Sequence, residues 1–328
     1  MRLLRIILLM LIFSTGFAFS QSKRIVYCSN QTSTEFIQVF IMNEDGSAKN
    51  QLTDLQENCM KPKFSADGKQ IVFYTDRGDV YLIRDIEKSK NFLNPFYVGP
   101  GTNPVFMPDG SQILYNSEIE DVLSIFAIDT ASYAAVPQIV SDGGYSNMQI
   151  LSSDGSKLLY SSFYEGAKAI MIADMNDTSE NYLKKISMND DANLEPDISR
   201  DGKKYTYASF DNNLKGTIRI NENGKETLLT KGMASANVPR FSPDGNKIAF
   251  VVITDRQVTL YVMNTDGSSK ADLNISGDVG TFEWIDDDRI IYDAGSETKT
   301  NVGIVEISSG SNNIIATGGF NLHPSSSK

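Results

Sequence analysis

The chain has 328 residues, of which 41% are hydrophobic, 22% charged and 10% aromatic, a composition that buries a core rather than remaining disordered. Thirty basic and 41 acidic residues leave a formal charge of -11, which argues against nucleic acid and anionic membrane surfaces, both of which are held by excess Lys and Arg. One His and two Cys exclude a site built from several imidazoles or thiolates.

Arg2 and Arg5 precede an apolar run at 6–13 and a small, neutral stretch at 14–20, the order of regions in a cleaved secretory signal. Cleavage is expected after Ser20, leaving residues 21–328 as the mature chain with 28 basic against 41 acidic residues, a charge of -13. A retained anchor is the lesser reading, because the uncharged stretch 6–22 is 17 residues long where about 20 span a bilayer. No Cys lies near the cut to accept a lipid, so a periplasmic or secreted protein without a transmembrane segment is expected. In that oxidising setting Cys28 and Cys59 are candidates for a disulfide.

The rest of the chain repeats itself. PKFSADGKQIVFYT (62–75), PVFMPDGSQILYNS (104–117), MQILSSDGSKLLYSS (148–162), PDISRDGKKYTYAS (196–209) and PRFSPDGNKIAFVV (239–252) share an Asp-Gly pair, and FEWIDDDRIIYDA (282–294) has Asp-Asp instead. Asp67, Asp109, Asp154, Asp201, Asp244 and Asp287 follow one another at intervals of 42, 45, 47, 43 and 43 residues, a period that marks an array rather than two globular domains. Within each unit a short apolar strand meets Asp-Gly, which suits a tight hairpin turn, and an alternating strand follows. A third strand such as Val80-Tyr-Leu-Ile83 or Leu260-Tyr-Val-Met263 comes next, then a weaker fourth ending near Thr53 or Thr230. Four strands in 42 to 47 residues is the arithmetic of a propeller blade.

The ends set the blade number. Ile25-Val-Tyr-Cys28 is a second-type strand with no first strand before it, whereas Asn321-Leu-His-Pro324 resembles the unit start Asn193-Leu-Glu-Pro196. If the C-terminal segment supplies the inner strand of the N-terminal blade, no free edge remains. The expectation is therefore an all-β, seven-bladed β-propeller of four-stranded antiparallel blades closed by a composite N-/C-terminal blade, with six blades as the alternative.

The pattern P-x-F-S-x-D-G-x-x-I-x-F, with Thr75-Asp-Arg77 and Thr254-Asp-Arg256 after the second strand and Tyr261-Val-Met-Asn-Thr-Asp-Gly267 in the third, resembles the WD40-like repeat of the TolB propeller family. That resemblance covers 24–326 and implies a cell-envelope propeller. It departs from TolB itself, a six-bladed propeller with a separate N-terminal α/β domain and a short partner-docking segment, neither of which is recognisable here.

In such a blade the first-to-second and third-to-fourth turns lie on one face, and the second-to-third loops and interblade linkers on the other. The aspartates of the Asp-Gly pairs, Asp67, Asp109, Asp154, Asp201 and Asp244, are expected to serve turn structure. No metal or other cofactor is expected. A calcium ion at Asp286-Asp-Asp288 is the one exception the residues allow, although a hairpin turn belongs there. The varied linker face is the expected binding face, with Tyr97, Tyr145, Phe163, Tyr164 and Phe210 available to stack on sugars or anchor a peptide. Arg77 and Arg256 hold matching repeat positions and are read as anion clamps or, more simply, as partners of a neighbouring acid. Cys28 and Cys59 fall on this face in adjacent blades, a sensible geometry for a disulfide.

A Ser/His/Asp or Cys/His site would have to use His323, which lies in the expected closing strand, and no G-x-S-x-G is present. Propeller lyases of similar fold use a histidine metal cluster that this chain cannot build. The resembling peptidases carry a hydrolase domain for which the sequence shows no segment. A carboxylate-pair glycosidase or lyase at the channel mouth stays open, since 41 acids are available. The expected function is a non-catalytic, monomeric scaffold binding an envelope protein or glycan, with that carbohydrate-active enzyme and an accessory subunit of an envelope complex as alternatives.

Overall fold

A computed structural model describes residues 23–327 except 33–34, 88–91, 133–137, 140, 142–143, 178 and 180–181, so the expected leader at 1–20 lies outside the described residues. Twenty-eight strands form seven separate four-stranded antiparallel sheets, and no helix long and apolar enough to cross a membrane occurs among the described residues. The protein is a seven-bladed β-propeller; the six-blade alternative falls because the composite blade is complete.

Blade 1 has Asn321–Ser326 as inner strand, then Arg24–Ser29, Gln38–Asn43 and a short outer Asn50–Gln51. Blade 2 runs Cys59–Phe64, Ile71–Thr75, Asp79–Ile83 and Phe96–Pro100; blade 3 runs Thr102–Phe106, Gln112–Ile119, Val122–Asp129 and Gln138–Ile139. Blade 4 comprises Asn147–Leu151, Lys157–Tyr164, Ala167–Asp174 and Leu183–Lys185, and blade 5 comprises Ala192–Ile198, Lys204–Phe210, Gly216–Glu222 and Lys225–Leu228. Blade 6 follows with Ser235–Phe241, Lys247–Ile253, Val258–Asn264 and Ala271–Asp272, and blade 7 with Asp278–Trp284, Arg289–Ser296, Lys299–Glu306 and Asn312–Ala316.

The second and third strands are buried on both faces because each sheet stacks on its two neighbours, which is why runs such as Ile71-Val-Phe73 are apolar without alternation. The core is accordingly a series of interblade layers. Leu260, Val262, Trp284 and Tyr292 join blades 6 and 7, Ile25, Phe40, Ile291 and Ile304 join blades 7 and 1, and Cys28, Val39, Ile71 and Phe73 join blades 1 and 2. Polar bonds reinforce the seam between blades 4 and 5, where Ser161 Oγ donates to Asn193 O at 2.8 Å and Asn221 Nδ2 to Ile186 O at 3.0 Å. At the closure Ser29 Oγ donates to Asn321 Oδ1 at 2.8 Å, with both residues fully buried.

Every inner strand carries a β-bulge at the same place. Two residues oppose one at Lys61-Pro62, Asn103-Pro104, Met148-Gln149, Glu195-Pro196, Val238-Pro239, Gly280-Thr281 and His323-Pro324. The first residue of six of these pairs has φ between 45° and 57°. A bulge bends its strand and re-aims a side chain, so one residue from each blade is set apart at the innermost strand.

The expected disulfide is not formed. Cys28 and Cys59 are free thiols, buried in the same layer between blades 1 and 2. Cys59 Sγ lies 3.7 Å from Thr53 Oγ1, and Cys28 sits inside its sheet opposite Val39 and Leu322, so both behave as small apolar core groups.

Candidate functional site

The Asp-Gly turns line one end of the ring. In each, the aspartate Oδ1 accepts from the backbone N–H two residues on: Lys69 at 3.0 Å, Ser111 at 2.9 Å, Ser156 at 3.0 Å, Lys203 at 3.2 Å and Asn246 at 3.0 Å. Four of the five also accept from the serine two residues before, as Asp67 does from Ser65 Oγ at 2.6 Å. The glycine that follows has φ of 66° to 73°, where a Cβ would be strained. These bonds hold the carboxyls below the usual range, and Ser152 and Ser156 take Asp154 down to about 2. A cleft of about 360 Å³ between blades 5 and 6 on this end is lined by Arg200, Asp201, Lys204 and Asp244, two of which are these turn aspartates.

The Asp286-Asp-Asp288 carboxylates are likewise taken up locally. Asp286 accepts from the Arg289 backbone and side chain, Asp287 from the Asp244 N–H at 2.7 Å, and Asp288 from the Ser308 N–H at 2.9 Å. Among the described residues no group of three or more His, Cys, Asp or Glu could hold a metal ion.

The opposite end carries the second-to-third hairpins and the linkers. The hairpins of blades 3 and 4 are tight: their strands run up to Ile119 and Tyr164 and turn through two residues, Glu120-Asp121 and Glu165-Gly166. Tyr145, Phe163 and Tyr164 are exposed there, at 50, 54 and 37%. Phe163 N donates to Gly144 O and Lys168 Nζ to Tyr145 O at 3.1 Å, which fixes the linker bearing Tyr145 against the blade 4 hairpin. Ile119 is exposed at the tip of the blade 3 hairpin, and Glu118, Glu120, Asp121 and Glu165, all exposed, lie on the same two hairpins.

The other expected binding residues separate from this group. Tyr97 lies on the outer strand of blade 2 rather than in a linker, with its ring edge-on to Tyr81 at 5.7 Å. Phe210 is half-buried against the layer between blades 5 and 6, where it packs as core. Arg77 reaches Glu57 of the blade 1 to blade 2 linker at 3.5 Å, the neighbouring-acid arrangement, whereas Arg256 is exposed and makes no ion pair among the described residues.

Inside the ring the bulged strands gather charges that the reading by faces left out. Lys63 of blade 2 pairs with Glu283 of blade 7 across the closing strand, and Ser325 Oγ of that strand donates to Glu283 Oε1 at 3.2 Å. Lys61 Nζ donates to Asn103 Oδ1 at 3.2 Å, and Arg240 Nη1 to Pro239 O at 2.7 Å and Glu195 O at 3.5 Å. Burial, then the Lys63 and Arg240 charges, push the Lys61 ammonium down from its ordinary pKa, with Glu195 acting weakly the other way. His323 is placed by its N–H, which donates to Asp293 Oδ2 at 2.9 Å; burial, then Lys61 and Lys63, take its imidazole down to about 4. The available signal was positional: Lys61, Glu195 and His323 each precede the proline that opens a repeat motif.

The profile described as the TolB beta propeller domain, PD40, matches residues 15–284. The chain belongs to the TolB β-propeller family. Dipeptidyl-peptidase 5 of Porphyromonas gingivalis is 25% identical over 295 residues, covering 83% of this chain and 42% of the relative. The Tol-Pal system protein TolB of Francisella tularensis subsp. holarctica is 25% identical over 242 residues, covering 71% of this chain and 54% of the relative. The chain thus spans about half or less of the length of these curated relatives. The crystal structure of TolB from Acinetobacter baumannii superposes with a TM-score of 0.59 at 17% identity, covering 93% of this chain and 66% of that one, a likeness of fold. In this TolB-family propeller the profile match ends at the inner strand of blade 7, and the other three strands of that blade and the closing strand follow it. Two features of the family member stand apart from its core: the aromatic residues exposed at blades 3 and 4, with acidic residues on the same hairpins, and the charged side chains of the bulged inner strands.

Proposed function

We propose that this TolB-family chain is a non-catalytic binding scaffold of the cell envelope, periplasmic or secreted, that docks another envelope component on its linker face. The observation that carries the reading is the patch of Ile119, Tyr145, Phe163 and Tyr164 exposed on two adjacent blades, since large rigid aromatics on a fixed frame are the usual anchors of an interface. The acids on the same hairpins favour a protein partner presenting apolar and basic side chains. Of the carboxylates on the inner strands, Glu283 is paired with Lys63, and Glu195 Oε2 accepts the Val238 N–H at 2.7 Å.

The test is capture from native envelope extract on the mature chain beside a Tyr145→Ala/Phe163→Ala/Tyr164→Ala variant. One discrete protein retained by the parent and lost by at least tenfold from the equally folded variant is expected, as for interface hot spots of about 2 kcal/mol. Equal retention by both would refute the linker face, and glycan-array binding without a protein partner would replace the protein reading with a glycan one.

A further inference from the structure

We propose that the cleft between the Asp-Gly turns of blades 5 and 6 is a saccharide site, in which hydroxyl groups of a neutral sugar bridge Lys204 to the Gly245 carbonyl. The cleft lies where a bond made at three other seams is missing. The residue that opens the second strand is basic in five blades: Arg24, Lys157, Lys204, Lys247 and Arg289. Three of them reach the turn of the next blade: Arg24 Nη2 donates to Gly68 O at 2.7 Å, Lys157 Nζ to Gly202 O at 2.7 Å and Lys247 Nζ to Asp287 O at 3.3 Å. Arg289 reaches the Glu44 carboxylate of blade 1 instead. Lys204 Nζ has only Glu222 Oε1 of its own blade, at 3.8 Å, and Gly245 O accepts no hydrogen bond among the described residues. That donor and that acceptor both line the cleft of about 360 Å³.

A group set between an ammonium and a carbonyl must accept from one and donate to the other, and a hydroxyl does both. The rest of the lining asks for the same chemistry. Arg200 is exposed and its guanidinium makes no hydrogen bond or ion pair among the described residues, its carbonyl alone being engaged, by Ser153 Oγ at 2.9 Å. On the acceptor side, Asp201 bonds Ser199 Oγ and the Lys203 N–H through Oδ1 and leaves Oδ2 unbonded among the described residues. Asn246 donates Nδ2 to Asp244 Oδ2 at 2.8 Å and likewise leaves Oδ1 unbonded. Two cations, Arg200 and Lys204, face two carboxylates, Asp201 and Asp244, so the lining carries no net charge to select an ion. Donors and acceptors side by side suit a polyol, and a sugar hydroxyl reproduces the hydrogen bonds of a water that it displaces. The turns that hold these groups are fixed by their own Ser to Asp bonds, so little ordering opposes binding. The volume falls at the small end of ligand clefts, which run from about 300 to 1,000 Å³, and fits a small saccharide. The cleft lies at the end opposite the linker-face aromatics and does not rest on the reading of that face.

The full chain is titrated with glucose, galactose, mannose and N-acetylglucosamine, each alone, and binding is read by saturation-transfer difference NMR. Saturable transfer to at least one sugar is expected. Lys204→Met, which removes the ammonium and keeps an unbranched stem, is expected to weaken it about tenfold. Arg200→Gln, whose guanidinium has no partner to lose, is expected to weaken it as well, and it decides the matter if Lys204→Met does not fold. The Tyr145→Ala/Phe163→Ala/Tyr164→Ala variant is expected to bind as the parent does. The saccharide site is refuted if no sugar gives a saturable effect, or if affinity is unchanged in folded Lys204→Met. Loss of binding in the aromatic variant, with the cleft variants unaffected, would also refute it and would move the sugar to the linker face.

Discussion

Asp197 shows how a single buried group links stability to pH. It lies fully inside blade 5, and burial outweighs the Arg240 charge and the Phe241 N–H to push its carboxyl up to about 6. A folded-state pKa above the unfolded one favours the protonated form, so its contribution is full below the ordinary carboxylate range and is lost as pH rises through about 6. Asp197→Asn removes the charge and keeps a carbonyl for the Phe241 N–H. It is expected to match the parent near pH 4 and to exceed it at pH 7 by up to about 3 kcal/mol, read from urea unfolding at a series of pH values; parallel stability curves would refute this. His323 has the opposite sign. Its folded-state pKa is lowered to about 4, so it stabilises above its unfolded pKa and loses that contribution as pH falls toward 4.

Hairpins and bulged inner strands differ in how openly the sequence declares them. An Asp-Gly turn is legible because the residue that caps the turn and the residue that tolerates positive φ are adjacent in sequence. The inner-strand bulge is not, because its positive-φ residues are Lys61, Asn103, Met148, Glu195, Val238 and His323, none of which prefers that conformation as glycine does. Register against the second strand imposes it, and repeat spacing alone marks it. The blade 5 hairpin offers a test of such strain. Leu214 has φ 59°, is 80% exposed and donates its N–H to Asp211 O at 2.9 Å. Leu214→Gly removes the Cβ clash and an exposed apolar side chain, and is expected to stabilise by about 0.5 to 1 kcal/mol in a thermal or urea melt. A lower midpoint would show that the leucine makes a contact worth more than its strain.

For the whole molecule the decisive contact joins the two ends of the described chain. Asn321–Ser326 pairs with Arg24–Ser29, and through it blade 1 acquires its inner strand. Deleting 321–328 leaves an unpaired inner edge and removes the buried Ser29 to Asn321 hydrogen bond. Loss of the cooperative melt and association on size-exclusion chromatography are expected; a monomer with an unchanged melting temperature would show that closure is dispensable. The sequence by itself determined the blade, its repeat length, its turn chemistry and even the composite closure, because each is a local pattern repeated at a fixed interval. Only the tertiary structure decided that Cys28 and Cys59 stay as thiols, that Phe210 is core and that Tyr97 lies on an outer strand. It alone brought Lys61 and Lys63 of blade 2 beside His323 of the closing strand. Residues up to 262 positions apart meet there because ring closure, which no local window records, sets which inner strands face one another.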